Sequence, residues 1–282
     1  MPELPEVETI ARTLAPMVKN RYINKFSLLS GKTLEAGLEL SPLLQGARVC
    51  AVRRRAKLLL LDVLGNGAQP LVIGFHLKMT GRLFVHELKV EPHKHTKIVF
   101  DLHTRLEDAL PESRLFFDDV RTFGYCRIMR PSDMPDWSFW SKLGLEPLEH
   151  SPDILAERLQ SRRGQIKNAL LDQTVIAGIG NIYADEALFR AGIKPDCKLE
   201  KIELPRVLNL CRQMQEILEE SIAACGSSIR DYRDAEGNAG AFQNTFNVYG
   251  RAGQPCKQCE TILVGARIAG RGSTYCPRCQ TF

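Results

Sequence analysis

No run of apolar residues in this 282-residue chain reaches the ~20 that a membrane-spanning helix needs. The N-terminus also lacks the basic, apolar, small-residue pattern of a secretory signal. Both absences predict a cytoplasmic protein with no membrane partner. The cysteine count is nine, an odd total, which without a secretory signal argues against a disulfide framework. Cys50, Cys126, Cys197, Cys211 and Cys225 stand singly and read as small buried apolar groups. The Gly178-Ile179-Gly180 pair lacks a third glycine and a convincing strand before it, so it is not a dinucleotide fingerprint. Strong net charge is missing too: +5 is only a mild bias toward polyanions.

What is present suits a globular protein of one large domain or two ordinary ones, with 44% hydrophobic residues for a core and an ordinary 25% charged. Val7, Ile10, Ala11, Leu14 and Val18 repeat at helical spacing, so 7–18 reads as a helix behind Pro5, with Pro16 marking its end. From 22 to 129 the pattern changes to short strands at 22–29, 47–53, 57–64, 71–75, 82–85, 97–102, 114–117 and 124–129. Such spacing predicts a β-sandwich or flattened barrel, with the apolar run 58–61 in a central strand. Arg48, Arg53, Arg54, Arg55 and Lys57 cluster without an acid, a pattern more often a solvated face than a site. Two loops stand out: Phe75-His76-Leu77-Lys78-Met79-Thr80-Gly81 and Asp119-Val120-Arg121-Thr122-Phe123-Gly124. Four prolines between 131 and 152 read as a linker.

The second half begins with short helices near 152–159 and 166–171, carrying Arg162, Arg163 and Lys167. The glycine turn before Asn181 enters a further helix whose free N–H groups suit a phosphate. A long amphipathic helix follows over 205–225, then a polar, glycine-bearing loop over 227–245. Cys256-x2-Cys259 and Cys276-x2-Cys279, with 16 residues between the pairs, have the spacing of paired zinc knuckles. Four thiolates leave no open position on the metal, so one structural Zn2+ is expected. The intervening hairpin has its tip at 267–272, and four basic residues face one acid over 256–282. This favours nucleic acid over protein contacts.

The N-terminal Met1-Pro2-Glu3-Leu4-Pro5-Glu6-Val7-Glu8-Thr9 admits two readings. Pro2 and Pro5 stiffen the lead into a helix, or loss of Met1 exposes a secondary amine. An α-amino group titrates near ~7.7–8.0 and, unprotonated, can form a Schiff base. With Arg55-Ala56-Lys57, His76-Leu77-x-Met79, Gly178-Ile179-Gly180-Asn181-Ile182-Tyr183 and the four-cysteine hairpin bearing Arg271, this stretch resembles bacterial formamidopyrimidine-DNA glycosylase. The motifs recur in family order over essentially the whole chain.

The resemblance implies an α+β multidomain fold. Residues 1–130 would form a catalytic β-sandwich with its leading helix, 131–151 a linker, 152–250 a helix–two-turn–helix domain and 251–282 a zinc-ribbon hairpin. It implies a monomer acting on damaged double-stranded DNA, held in the cleft between its domains, with no nucleotide or redox cofactor. By matching position, Pro2 would attack C1′ and Glu3 would act as acid, while Glu6 supports the site. Lys57, Asn181 and Arg271 would grip phosphate, with Lys57 and Arg271 also assisting elimination. His76, His95, Arg121, Arg162 and Lys167 would contact DNA, and Met79, Arg121 and Phe123 would fill the gap behind a flipped nucleotide. The loop 227–245 would cover the extruded base. Thr122 departs from the family pattern, which has arginine there, and 103–113 looks like an additional loop. An oxidised-pyrimidine glycosylase of the endonuclease VIII type and a silent zinc-ribbon DNA binder are the competing readings.

Overall fold

The computed structural model describes residues 2–229, 232–268 and 270–281. They divide into two compact units, Met1–Ser141 with Ala224–Ala241, and Lys142–Ala223 with Phe242–Phe282. Among the described residues no helix is long and apolar enough to cross a membrane.

The first unit opens with α1 (Leu4–Val18), which starts three residues earlier than its apolar spacing suggests. Pro5 fits the first turn because its missing N–H would have no partner there. Pro16 falls in the last turn, so the helix runs on to Val18. Nine strands follow: β1 (Tyr22–Leu28), β2 (Leu34–Ala36), β3 (Ala47–Arg55), β4 (Leu58–Leu64), β5 (Pro70–His76), β6 (Gly81–His86), β7 (Thr96–His103), β8 (Ser113–Asp119) and β9 (Tyr125–Met129). They form one hydrogen-bonded sheet in the order β2-β9-β5-β4-β3-β1-β7-β8-β6. All the expected strands are there; β2 is additional and pairs parallel with β9.

The sheet turns back over itself. β5 and β8 are five steps apart in strand order, about 24 Å in a flat sheet at ~4.8 Å per step. Yet the rings of Phe75 and Phe117 lie 5.4 Å apart, and Phe75 and Phe100 6.1 Å. The two ends therefore face each other across one core, which also takes in Val7, Ile10, Leu14 and Val18 of α1. β4 is buried on both sides, with Leu59 and Leu61 in that core and Leu58 and Leu60 against Met134 and Trp137. This explains its unbroken apolar run. It also places the first part of the expected linker in the first unit, where Trp137 and the short α2 (Ser138–Ser141) follow the sheet.

The second unit contains α3 (Pro152–Gln160), α4 (Ile166–Leu171), α5 (Asn181–Arg190) and α6 (Leu204–Ala223). α6 buries Val207, Leu210, Cys211, Met214, Ile217, Leu218 and Ser221, a single stripe at helical spacing. The hairpin of β10 (Val264–Ile268) and β11 (Arg271–Tyr275) packs beside Phe189 of α5. Its strands run further than the sequence suggested, pairing Arg267 with Gly272 and Ile268 with Arg271. The tip is thus only two residues, of which Ala269 lies outside the described residues.

Candidate active site

In the first unit, Pro2 and Glu3 are buried and lead directly into α1. Met1, on whose removal the nucleophile reading turns, lies outside the described residues. Glu3 is the N-cap, its side chain accepting from the backbone of Glu6, while Glu6 Oε2 accepts the Glu3 N–H at 2.9 Å. This reciprocal box fixes Glu3 at the positive end of the helix dipole. Glu6 Oε1 accepts the Ser227 N–H at 2.8 Å and the Ser227 hydroxyl at 2.9 Å. The Tyr232 hydroxyl donates to the Glu6 carbonyl at 3.4 Å, and the Ala235 N–H donates to Thr13 Oγ1 at 3.2 Å. Part of the stretch expected as a polar loop is therefore seated on α1 and returns to the first unit.

Lys57 occupies the two-residue turn between β3 and β4 and is buried. Ala56 before it has φ +53, a left-handed conformation that costs an alanine roughly 1–2 kcal/mol. Arg54 holds the turn. Its Nε donates to Glu8 Oε2 at 2.9 Å and its Nη1 to the Ala56 carbonyl at 3.0 Å. One guanidinium thus ties the first turns of α1 to the turn carrying Lys57. Burial pushes Glu8 up, but Arg12 and Arg54 outweigh it and hold the carboxyl below its usual range. His76, opposite Leu58 at the end of β5, is also buried. Burial, then the Lys78 and Lys57 cations, lower its pKa to about 3. Its Nδ1 accepts the Lys78 N–H at 3.1 Å, so the neutral ring keeps its proton on Nε2.

Met79, Arg121 and Phe123 sit on two neighbouring loops and are exposed. Half-exposed Phe123 and Met79 have large apolar side chains not used for packing, at 54% and 41% of their area. The Arg121 guanidinium lies 4.8 Å from the centre of the Phe123 ring. Both loops hang on Asp119, whose carboxylate is fully buried. Its Oδ1 accepts from the Thr80 hydroxyl and, at 3.1 Å, from the Arg121 N–H; its Oδ2 accepts the Gly124 N–H at 2.7 Å. Thr122 has φ +55, an uncommon conformation for a β-branched residue. His95 is half-buried just before β7, and its carbonyl accepts the Asp119 N–H at 2.9 Å. Arg54 and Asp119 are the residues that sequence reasoning missed as organisers. The signal for Asp119 was an aspartate two residues before Arg121, the spacing of an Asx turn.

In the second unit, Asn181 opens α5 and its Nδ2 donates to the Gly272 carbonyl at 2.8 Å. This joins the helix start to the strand that carries exposed Arg271. Gln173, also missed, shapes the preceding turn: its Nε2 donates to Ile179 O at 2.8 Å and its Oε1 accepts the Gly178 N–H at 3.0 Å. Arg162 is half-buried between α3 and α4. Lys167, expected as a DNA contact, is not presented on the surface of the second unit. It is fully buried, with Nζ 2.6 Å from Asp185 Oδ1 and hydrogen-bonded to the Ser273 hydroxyl. An ammonium at that depth needs a carboxylate partner, and the pair fixes the inner end of the hairpin instead.

The sulfurs of Cys256, Cys259, Cys276 and Cys279 all lie within 4.8 Å of one another. A tetrahedral zinc with ~2.3 Å bonds to sulfur has edges of roughly 3.8 Å. The Cys256–Cys279 and Cys259–Cys276 separations of 3.9 and 3.5 Å fit that figure.

Comparison with known proteins covers the whole of this layout. Residues 1–126 match the formamidopyrimidine-DNA glycosylase N-terminal domain, 143–233 the formamidopyrimidine-DNA glycosylase H2TH domain, and 253–281 a zinc finger found in FPG and IleRS. The formamidopyrimidine-DNA glycosylase of Nitratidesulfovibrio vulgaris is 40% identical over 99% of this chain and all of its own. That of Desulfitobacterium hafniense is 41% identical over the same shares. Among solved structures, Lactococcus lactis Fpg bound to abasic-site DNA superposes with a TM-score of 0.88 at 30% identity, covering 99% of this chain and 100% of that one. MutM in complex with carbocyclic 8-oxo-G DNA gives 0.87 at 30%, covering both chains fully. On identity, coverage and fold alike, the chain belongs to the formamidopyrimidine-DNA glycosylase family.

Proposed function

We propose that this protein removes oxidised purines from duplex DNA and then cleaves the abasic strand by β,δ-elimination. The observation that carries the reading is the capping box, which sets Glu3 directly behind Pro2 at the start of α1. With Met1 removed, the Pro2 nitrogen is a secondary amine. The positive end of the helix dipole disfavours its protonated form. The nitrogen lone pair attacks C1′ of the damaged nucleotide, and the base leaves with the glycosidic electron pair and a proton. Glu3 gives a proton to O4′ as the C1′–O4′ bond opens, leaving an iminium between nitrogen and C1′. Loss of a C2′ proton sends electrons toward that iminium and breaks the C3′–oxygen bond. Elimination at C5′ follows, and hydrolysis frees Pro2.

The remaining groups serve binding. Lys57, with neutral His76 beside it, supplies a positive site for phosphate. In the second unit Asn181, Arg162 and Arg271 do the same, Arg271 also aiding elimination. Lys167 acts only by holding the hairpin. Met79, Arg121 and Phe123 enter the stack when the nucleotide is flipped, offsetting the few kcal/mol that flipping costs. A single Zn2+ on the four cysteines orders the hairpin and takes no part in chemistry. We further infer that the two-unit layout corresponds to a β-sandwich domain, a helix–two-turn–helix domain and the appended zinc ribbon, acting as a monomer in the cytoplasm.

Borohydride trapping tests this. The mature chain with 8-oxoguanine opposite cytosine should give a covalent adduct, and a chain that keeps Met1 should give at least ~1,000-fold less, equivalent to a barrier raised by roughly 4 kcal/mol. Binding without any adduct would leave only a silent DNA binder. Faster release of thymine glycol than of 8-oxoguanine would move the protein to the oxidised-pyrimidine class.

A further inference from the structure

Asp118 and Asp119 are adjacent in β8, so their side chains point to opposite faces of the sheet. Asp119 is accounted for by the Arg121 loop. Asp118 is more than nine-tenths buried, and its Oδ1 is buried without a hydrogen-bond partner among the described residues. Its Oδ2 lies 3.2 Å from His93 Nε2. The other ring nitrogen of His93, Nδ1, accepts the backbone N–H of His95 at 3.1 Å. The turn between them is closed twice: the His93 N–H donates to Thr96 Oγ1 at 3.1 Å, and the Thr96 N–H donates to the His93 carbonyl at 2.9 Å.

These contacts define one tautomer. A nitrogen that accepts an N–H carries no proton, so the neutral ring bears its hydrogen on Nε2 and donates it to Asp118. A continuous line runs from the Asp118 carboxylate through the His93 ring to the His95 amide. The His95 carbonyl is held separately by the Asp119 N–H at 2.9 Å. Consecutive aspartates thus hold the two sides of one residue, one through His93 and the other directly.

We propose that His93, oriented by Asp118, is a positioning residue for His95 and sets its grip on the DNA backbone. The proposal rests on the reading of His95 as a DNA contact. His93 is about half-exposed, so the rival explanation is that it touches phosphate itself.

Side-chain geometry separates the two. Asparagine places an acceptor where Nδ1 stands but cannot reach Asp118. Glutamine reaches Asp118 but offers no acceptor at the Nδ1 position. The measurement is the dissociation constant for a duplex bearing a tetrahydrofuran abasic analogue, with thermal melting of each variant as the check on folding. His93→Ala and His93→Gln should weaken binding by about three- to tenfold, the size of one hydrogen bond. His93→Asn, which keeps the acceptor but not the Asp118 hold, should restore part of that loss. In a His95→Ala background, His93→Ala should add nothing. Equal weakening by all three substitutions would overturn the proposal in favour of direct contact by His93. Full additivity with His95→Ala would overturn it as well. If His95→Ala alone leaves affinity unchanged, the reading of His95 fails first and the positioning role fails with it.

Discussion

In the first unit, the groups assigned to chemistry stand on a hydrophobic core that runs from α1 to β9, and polar contacts refine their places. Val7 and Ile10 are buried one and two turns from Glu3, and the capping box, Arg54 and Asp119 then set individual atoms. In the second unit the hairpin reverses that order. Its apolar cluster comprises Phe189, Val248, Leu263 and two of its own cysteines. The four sulfurs of its two cysteine pairs come within 4.8 Å of one another, and its second strand is tied down by Lys167, paired with Asp185, and by the Asn181 bond to Gly272. Burial of apolar area is spread over many residues and survives the loss of one. A metal cluster or a buried ion pair is concentrated and does not. Fine positioning on a broad core would suit the proposed nucleophile, whereas the proposed clamp on phosphate could depend on a few strong links.

The comparison is most open to attack at the metal. Chelation should unfold the hairpin, since structural zinc is typically worth ~10–16 kcal/mol to such a segment. Duplex affinity should fall by at least ~100-fold while the melting transition of the first unit stays in place. Joint loss of both units would show that the second is not separately held. Next in size is Lys167→Ala, which leaves Asp185 buried without its ammonium partner. Breaking such a pair costs about 3–5 kcal/mol, seen as a lower melting temperature of the second unit. A change under ~1 kcal/mol would mean that the zinc alone holds the hairpin.

The smallest effect, read between pH 7 and pH 5, is a pH dependence in the first unit. His76 is neutral when folded because its pKa falls to about 3, whereas the unfolded chain takes up a proton below about 6.5. The stability it contributes is therefore full above pH 6.5 and is lost as pH falls toward 3. The slope from this group is about 1.4 kcal/mol per pH unit in that window. Urea unfolding of His76→Gln and the parent chain at pH 7 and pH 5 should show the difference shrinking at the lower pH. A constant difference would remove the titration argument.

Local pattern was legible in the sequence, and distant pairing was not. The cysteine spacing, the face of α1 and the apolar run of β4 each repeat within a few residues, so composition alone reveals them. β2 is three residues long and has no period to read. Asp119 and Arg54 act on loops that only the fold brings near. The resemblance implied a DNA contact for Lys167, and nothing in its neighbourhood announces Asp185, 18 residues on, as a buried partner. Glu6 and Ser227 are 221 positions apart, and among the described residues between 224 and 241 those in the apolar core are Tyr232 and Ala235. Two apolar anchors in a polar stretch do not make a pattern.

The return of Ala224–Ala241 to the first unit also sets a timetable for synthesis. A chain emerging from the ribosome presents α1 and all nine strands before it has made any of α3 to α6. Domains tend to fold as they emerge, N-terminal first. Here the earliest-made unit must wait for residues produced after the helices of its neighbour. Until then the Glu6 carboxylate lacks the Ser227 donors, and the core lacks Tyr232. Any translation product that stops short of residue 227 carries the start of α1 without the Ser227 donors that seat Glu6.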